Sequence, residues 1–253
     1  IKMAEAVNKK TILIGLAVLI GLGIINWRVQ YIYWTAALLL IFFLAIAWSY
    51  LSNRSKKYKL MVWLIPTLNF LAWCGFLTIV NSSLVRQLLI VTTAILQLAY
   101  WRRGWTAWLE QDQPAAWWRL VNAINLLTIW LAAATLYGWQ AFLAWPIWWS
   151  WSWWLILSGL ILWLDYQVSA LPVSTHWPVI LTQWLIGGQI FLAVYFLPSS
   201  HLVLAYLLLI AYYAASQIGR GSLLKINTAR RLRYQFLILI ILLAVVLLTA
   251  KWF

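Results

Sequence analysis

Four carboxylates, two histidines and one cysteine are the carboxylate, imidazole and thiol groups that this 253-residue chain offers to acid–base or metal chemistry. Their spacing assembles no reactive set. Glu110 and Asp112 are two apart, so on a helix they point to different sides and form no ready carboxylate pair. Asp165 and His176 flank one expected turn on the cytoplasmic side, where either could accept a proton beside a lipid phosphate. His201 falls at the opposite membrane face, so the two histidines cannot share one metal or an in-plane haem. Cys74, between Trp73 and Gly75 in an apolar run, reads as a small filler. No metal and no cofactor is expected, and an enzymatic role is disfavoured.

Other residue types carry more information. Asn69, Gln97, Asn122, Asn125, Gln183 and Gln189 interrupt otherwise apolar stretches, where carboxamides can hydrogen-bond between helices. Tryptophan, at 22 residues, is densest at Trp145, Trp148, Trp149, Trp151, Trp153 and Trp154. Spacings of three and four place these rings on adjacent stripes of one helix. Two readings stay open: an interfacial belt, or an aromatic platform of Trp148, Trp149, Trp151, Trp153 and Trp154 for a flat ligand. On the platform reading, leucine at both Trp153 and Trp154 should abolish ligand retention and spare folding. Arg102, Arg103, Arg119, Arg220, Lys225, Arg230, Arg231 and Arg233 gather on the expected cytoplasmic side, fixing topology or holding lipid headgroups.

The elements that must position these residues follow from composition. Two thirds of the chain is hydrophobic (66%), 9% is charged and mean hydropathy is +0.88, so lipid must solvate most of the surface. The runs are continuously apolar rather than alternating, which selects helices over barrel strands. The expected fold is all-α, a polytopic transmembrane helix bundle forming a single membrane-embedded domain over 1–253. Spans are predicted at 11–27, 31–51, 60–80, 84–101, 120–138, 147–166, 177–197, 202–218 and 234–250, the first and eighth being the weakest. Short connections predict four antiparallel hairpins plus a final helix.

Local signals refine this scheme. Lys9-Lys10 followed by Thr11 to Ile25 resembles a signal peptide without a small-residue cleavage pattern, and is read as a retained first helix. Trp105, Trp108 and Leu109 suggest a short interfacial helix within Gly104 to Trp118. Pro66 is expected to kink the third span near its inner end, and Pro178 to start a helix. Gly187-Gly188 permits close helix approach.

Orientation comes from the basic residues. All of the 18 Lys and Arg except Arg28, Arg86 and Lys251 fall on one side of this span scheme. The positive-inside rule then puts the N-terminus in the cytoplasm and the C-terminus outside, in what reads as a prokaryotic cytoplasmic membrane. The formal charge of +14 is thereby a topology signal, and no nucleic-acid partner is expected. Near the centre of the spans there is no Asp, Glu, Lys, Arg or His, one of which coupled transporters usually need. The leading expectation is a non-catalytic subunit or scaffold of a membrane complex, its partners being membrane lipids and another membrane protein. The alternatives are a carrier or flippase-like handler of an apolar molecule, and an interfacial lipid-modifying enzyme.

The orientation is directly testable. In a Cys74→Ala background, Ser82→Cys should react with an impermeant maleimide added to intact cells, and Ser55→Cys only after the membrane is opened; the reverse pattern would invert the topology.

Overall fold

The computed structural model describes residues 2–27, 32–50, 56–109, 115–168, 173–223, 237–241, 243–246 and 248. Among them the chain is helical, with no strand. The helices are α1 (Lys2–Trp27), α2 (Ile32–Tyr50), α3 (Lys56–Leu77), α4 (Ser83–Leu109), α5 (Ala115–Leu143), α6 (Ile147–Val168), α7 (Val173–Tyr195) and α8 (His201–Leu223). The described residues of the ninth expected stretch are helical as well. Helix is the outcome that apolar runs demand, since it satisfies each backbone polar group within its own segment.

Five stretches are long and apolar enough to cross a membrane: Ser83–Gly104, Arg119–Leu143, Ile147–Gln167, Trp177–Tyr195 and His201–Gly219. The eighth helix is therefore not a weak one. Apolar segments Thr11–Ile24 and Trp63–Leu77 are shorter. The expected interfacial helix over Gly104 to Trp118 is not formed as such. Trp105, Trp108 and Leu109 continue α4, and Ala115 onward belongs to α5. At 27 residues α4 is about 40 Å long, more than a hydrocarbon core of about 30 Å requires. Pro178 lies inside α7 rather than at its start.

Helix ends follow local chemistry. Ser82 caps α4, its Oγ accepting from the Val85 N–H at 3.4 Å and its carbonyl from Arg86 N–H at 3.0 Å. Between α5 and α6, Ala144 takes a φ of 51°, and Pro146 precedes α6 with its carbonyl accepting from Trp149 N–H at 3.1 Å. Proline there forgoes an N–H that a helix start leaves unpaired in any case.

The chain divides into two compact units, Ile1–Thr128 and Ile129–Phe253. The boundary falls within α5 in sequence. In the first unit α1 packs on α2, α2 on α3 and α3 on α4, and the ring closes through α1 and α4. The α1–α4 contact is the most extensive of these, so α1 is not chiefly the hairpin partner of α2. Ile14, Val18 and Leu22 recur every four residues and are fully buried. Gly15 sets the approach: a Cβ there would lie 2.6 Å from Leu98 Cδ2 on α4. In the second unit α7 packs against both α6 and α8.

Two glycines of α1 make a matched test. Gly15→Val should destabilise the protein by about 1–3 kcal/mol through overpacking against Leu98. Gly23→Ala, whose Cβ meets nothing within 4 Å, should be neutral or gain up to about 1 kcal/mol of helix propensity. Thermal unfolding in detergent micelles reads both.

Candidate functional site

In the second unit the tryptophan cluster divides between two faces of α6. Trp148 and Trp149 are 66% and 61% exposed, and Trp153 also points outward. Trp154 is fully buried, and Trp151 is half-buried. These two are helix fasteners. Trp151 Nε1–H donates to the Gly188 carbonyl and Trp154 Nε1–H to the Gly187 carbonyl of α7, each at 3.2 Å. From α7, Trp184 Nε1–H returns to the Leu155 carbonyl of α6 at 2.7 Å. The five indoles of the expected platform thus do not form one surface.

The local reason lies in where helix carbonyls point. The carbonyl of residue i faces residue i+4, whose Cβ can screen it from a second donor. Leu155 is followed four residues on by Gly159, where a Cβ would lie 2.9 Å from Trp184 Nε1. The same device recurs on α8. Gln183 Nε2 donates to the Ala215 carbonyl at 2.8 Å, and four residues on is Gly219, where a Cβ would collide with Gln183 Nε2. Gln183 Oε1 in turn accepts from Tyr166 O–H at 2.9 Å. One carboxamide on α7 therefore joins α6 to α8.

Aromatic stacking completes this unit. Tyr137 of α5 stacks on Phe191 of α7 (centroids 4.6 Å, 10°), and Phe191 stacks on Trp154 of α6 (5.4 Å, 17°). Tyr137 O–H also donates to the Phe191 carbonyl at 2.9 Å. Beside the stack, a narrow crevice with enclosed room for little more than a water molecule runs between α6, α7 and α8. Trp154, Gln183, Gly187, Ala211, Tyr212 and Ser216 are among its walls. A Cβ on Gly187 would meet nothing within 4 Å.

The first unit gathers a different set. Asn69 Nδ2 donates to Thr128 Oγ1 at 3.0 Å. Gln97 Nε2 donates to the Pro66 carbonyl at 3.1 Å and to Asn69 Oδ1 at 3.3 Å. Thr128 passes its own hydroxyl proton to the Ile124 carbonyl at 2.7 Å. All four polar side chains at this place, Thr67, Asn69, Gln97 and Thr128, are buried. Asn125 is buried too and Asn122 half-buried, both engaged within the fold. Of the expected buried polar residues, Asn69, Asn122 and Asn125 thus belong to the first unit and Gln183 to the second.

An aromatic cluster accompanies that network. Phe43 of α2 meets Phe70 of α3 at 5.9 Å and Trp101 of α4 at 6.1 Å, and Tyr100 meets Trp117 of α5 at 5.0 Å. Arg102, Arg103 and Arg119 are exposed on the helices that Tyr100 and Trp117 join. Arg220 lies in α8 of the other unit, and Lys225, Arg230, Arg231 and Arg233 fall outside the described residues. Asp165 lies in the last turn of α6, beside the connection to α7, where it is 4% exposed and has an interaction partner. His176 lies in α7. Among the described residues, no three of His, Cys, Asp and Glu come together to hold a metal ion.

Comparison with protein-family models, with curated proteins and with solved structures finds no match for this chain.

Residues that sequence reasoning passed over include Trp184, Phe191, Gly159 and Gly219. A usable signal was present in Gly159 and Gly219, since glycine inside an apolar helix costs about 1 kcal/mol relative to alanine and invites a packing reason. The tryptophans offer the sharpest test, and it reverses the expectation that leucine at both Trp153 and Trp154 would spare folding. Trp154→Leu should cost about 3 kcal/mol, from a lost stack, a lost indole bond and a cavity, whereas Trp153→Leu should stay within about 0.5 kcal/mol. Gly159→Ala should cost about 1–3 kcal/mol by orphaning the Trp184 indole. Equal effects of Trp153→Leu and Trp154→Leu in an unfolding assay would refute this assignment of faces.

Proposed function

We propose that this chain is a non-catalytic multi-pass membrane protein that serves as a subunit or scaffold of a membrane complex. The proposed topology has nine crossings, the N-terminus in the cytoplasm and the C-terminus outside, in a prokaryotic cytoplasmic membrane. The distribution of its lysines and arginines supports that orientation.

The observation that carries the reading is where the polar donors go. Trp151, Trp154, Trp184, Gln183, Asn69 and Gln97 each spend a donor on a bond from one helix to another. Side chains committed in this way hold helices in register rather than present chemistry to a guest. The interfacial enzyme reading loses support from Asp165, whose side chain is buried and engaged within the fold. Meanwhile Trp148, Trp149, Trp153 and Ile156 leave one side of α6 broad, aromatic and exposed. Such a surface suits lipid or a second membrane protein.

A second reading, a carrier or flippase-like handler of a lipid or other apolar small molecule, draws on the crevice beside Trp154 and Gln183. Gly187 separates the two, because a larger side chain there would enter the crevice without touching α6 Trp148, Trp149 or Trp153. Protein extracted from its own membrane in mild detergent should carry a stoichiometric polypeptide partner by mass spectrometry. It should keep that partner in Gly187→Leu and lose it when Trp148, Trp149 and Trp153 are replaced together by alanine. A chain that runs alone, but holds a small molecule that Gly187→Leu releases, would replace the subunit reading with the carrier reading.

A further inference from the structure

The network around Pro66 is one hydrogen-bond donor short. Gln97 is 2% exposed and Thr67 is 3% exposed, yet Gln97 Oε1 and Thr67 Oγ1 are buried without a hydrogen-bond partner. They are close along the fold, because Gln97 Nε2 holds the carbonyl of Pro66 at 3.1 Å and Thr67 is the next residue. Pro66 itself lies inside α3 and has no N–H, so the Val62 carbonyl one turn below receives no bond from residue 66. Two buried, unpartnered side-chain atoms thus lie beside the stretch of α3 where proline leaves a backbone carbonyl without its helical donor. Leaving a buried acceptor unmet is costly, by an amount comparable with the packing gains around it.

Turning the Gln97 carboxamide over would not help. Its amino group already serves two oxygens, those of Pro66 and Asn69. Exchanging it for Oε1 would set three acceptors against one another. The Asn69 carboxamide is held as well, giving a proton to Thr128 and accepting one from Gln97. The missing group must therefore be a donor brought from outside the side-chain network.

We propose that α3 at Pro66 holds one buried water molecule as a fixed part of the first unit. It donates one proton to Gln97 Oε1 and the other to the Val62 carbonyl, and accepts the Thr67 hydroxyl proton. This partnering uses each group once and matches the two to four polar contacts typical of internal water. Proline inside a membrane helix is commonly accommodated by Ser or Thr side chains, neighbouring helices and ordered water, and here all three act at one place. The water belongs with Asn69, Gln97 and Thr128 and is independent of the crevice in the second unit.

The test uses full-length protein labelled with 15N-glutamine in nanodiscs of deuterated phosphatidylcholine, measuring magnetisation transfer from water to the glutamine side-chain amides. Exposed Gln87 is the positive control, and Gln97→Leu assigns the Gln97 signal. Transfer to Gln97 is expected in the wild type, should persist in Thr67→Ser, and should fall at least severalfold in Thr67→Val. Absence of transfer at Gln97 in folded protein, with Gln87 responding, overturns the proposal. Undiminished transfer in folded Thr67→Val overturns it equally, and if the valine variant does not fold, loss of transfer in folded Thr67→Ser, which keeps the hydroxyl, overturns it.

Discussion

A donor or acceptor buried between helices of this chain has to find its partner in the protein or in enclosed water, because hydrocarbon offers neither. The helices meet this for their own backbone. The harder requirement falls on side chains that project between them, and both units are arranged around it. An indole carries a single donor and no acceptor, so a tryptophan sunk between helices needs one acceptor and nothing else. A backbone carbonyl already bonded within its helix retains a second lone pair, and it becomes reachable where no Cβ stands over it. Glycine at Gly159 and Gly219 opens such carbonyls at Leu155 and Ala215.

The two units answer the constraint with different side chains. The second relies on rings: Tyr137, Phe191 and Trp154 stack in series, while indoles cross the seam of α6 and α7 in both directions. Rings bring large buried area with few rotatable bonds, so the seam is ordered at modest entropic cost. The first relies on carboxamides and hydroxyls, with Asn69 and Gln97 linking α3, α4 and α5. Each amide has donors and acceptors to place, which makes that network more specific and more exposed to a missing partner. Ties of this kind hold the helices of each unit in register.

Much of this was legible from residue order, within limits set by what periodicity encodes. Apolar run length located the helices, and Asn69 and Gln183 stood out as polar residues in apolar runs. Their partners did not, since Thr128 lies 59 residues from Asn69 and Ala215 lies 32 from Gln183. Helical spacing put Trp148, Trp149, Trp151, Trp153 and Trp154 on one helix but could not say which stripe faced inward. A helix apolar on all sides has no polar face to mark its exterior. For the same reason Trp105 and Trp108 looked like an interfacial helix when they are the last turns of α4, and nothing in the sequence showed that Asp165, beside the expected turn, has its side chain buried.

The sequence by itself determined that the chain is helical and suited to lipid, because both follow from composition and from the length of apolar runs. It also located breaks between helices, since the predicted runs part at 81–83 and 139–146, where α3 gives way to α4 and α5 to α6. Only the tertiary structure decided that α1 lies chiefly against α4, that Trp154 is a fastener while Trp153 faces outward, and that Asn69 and Gln183 belong to different units. Those choices depend on complementarity between surfaces distant in the chain, such as a glycine on one helix facing a leucine or an indole on another. Apolar helices in an apolar solvent carry almost no pattern from which that complementarity can be read.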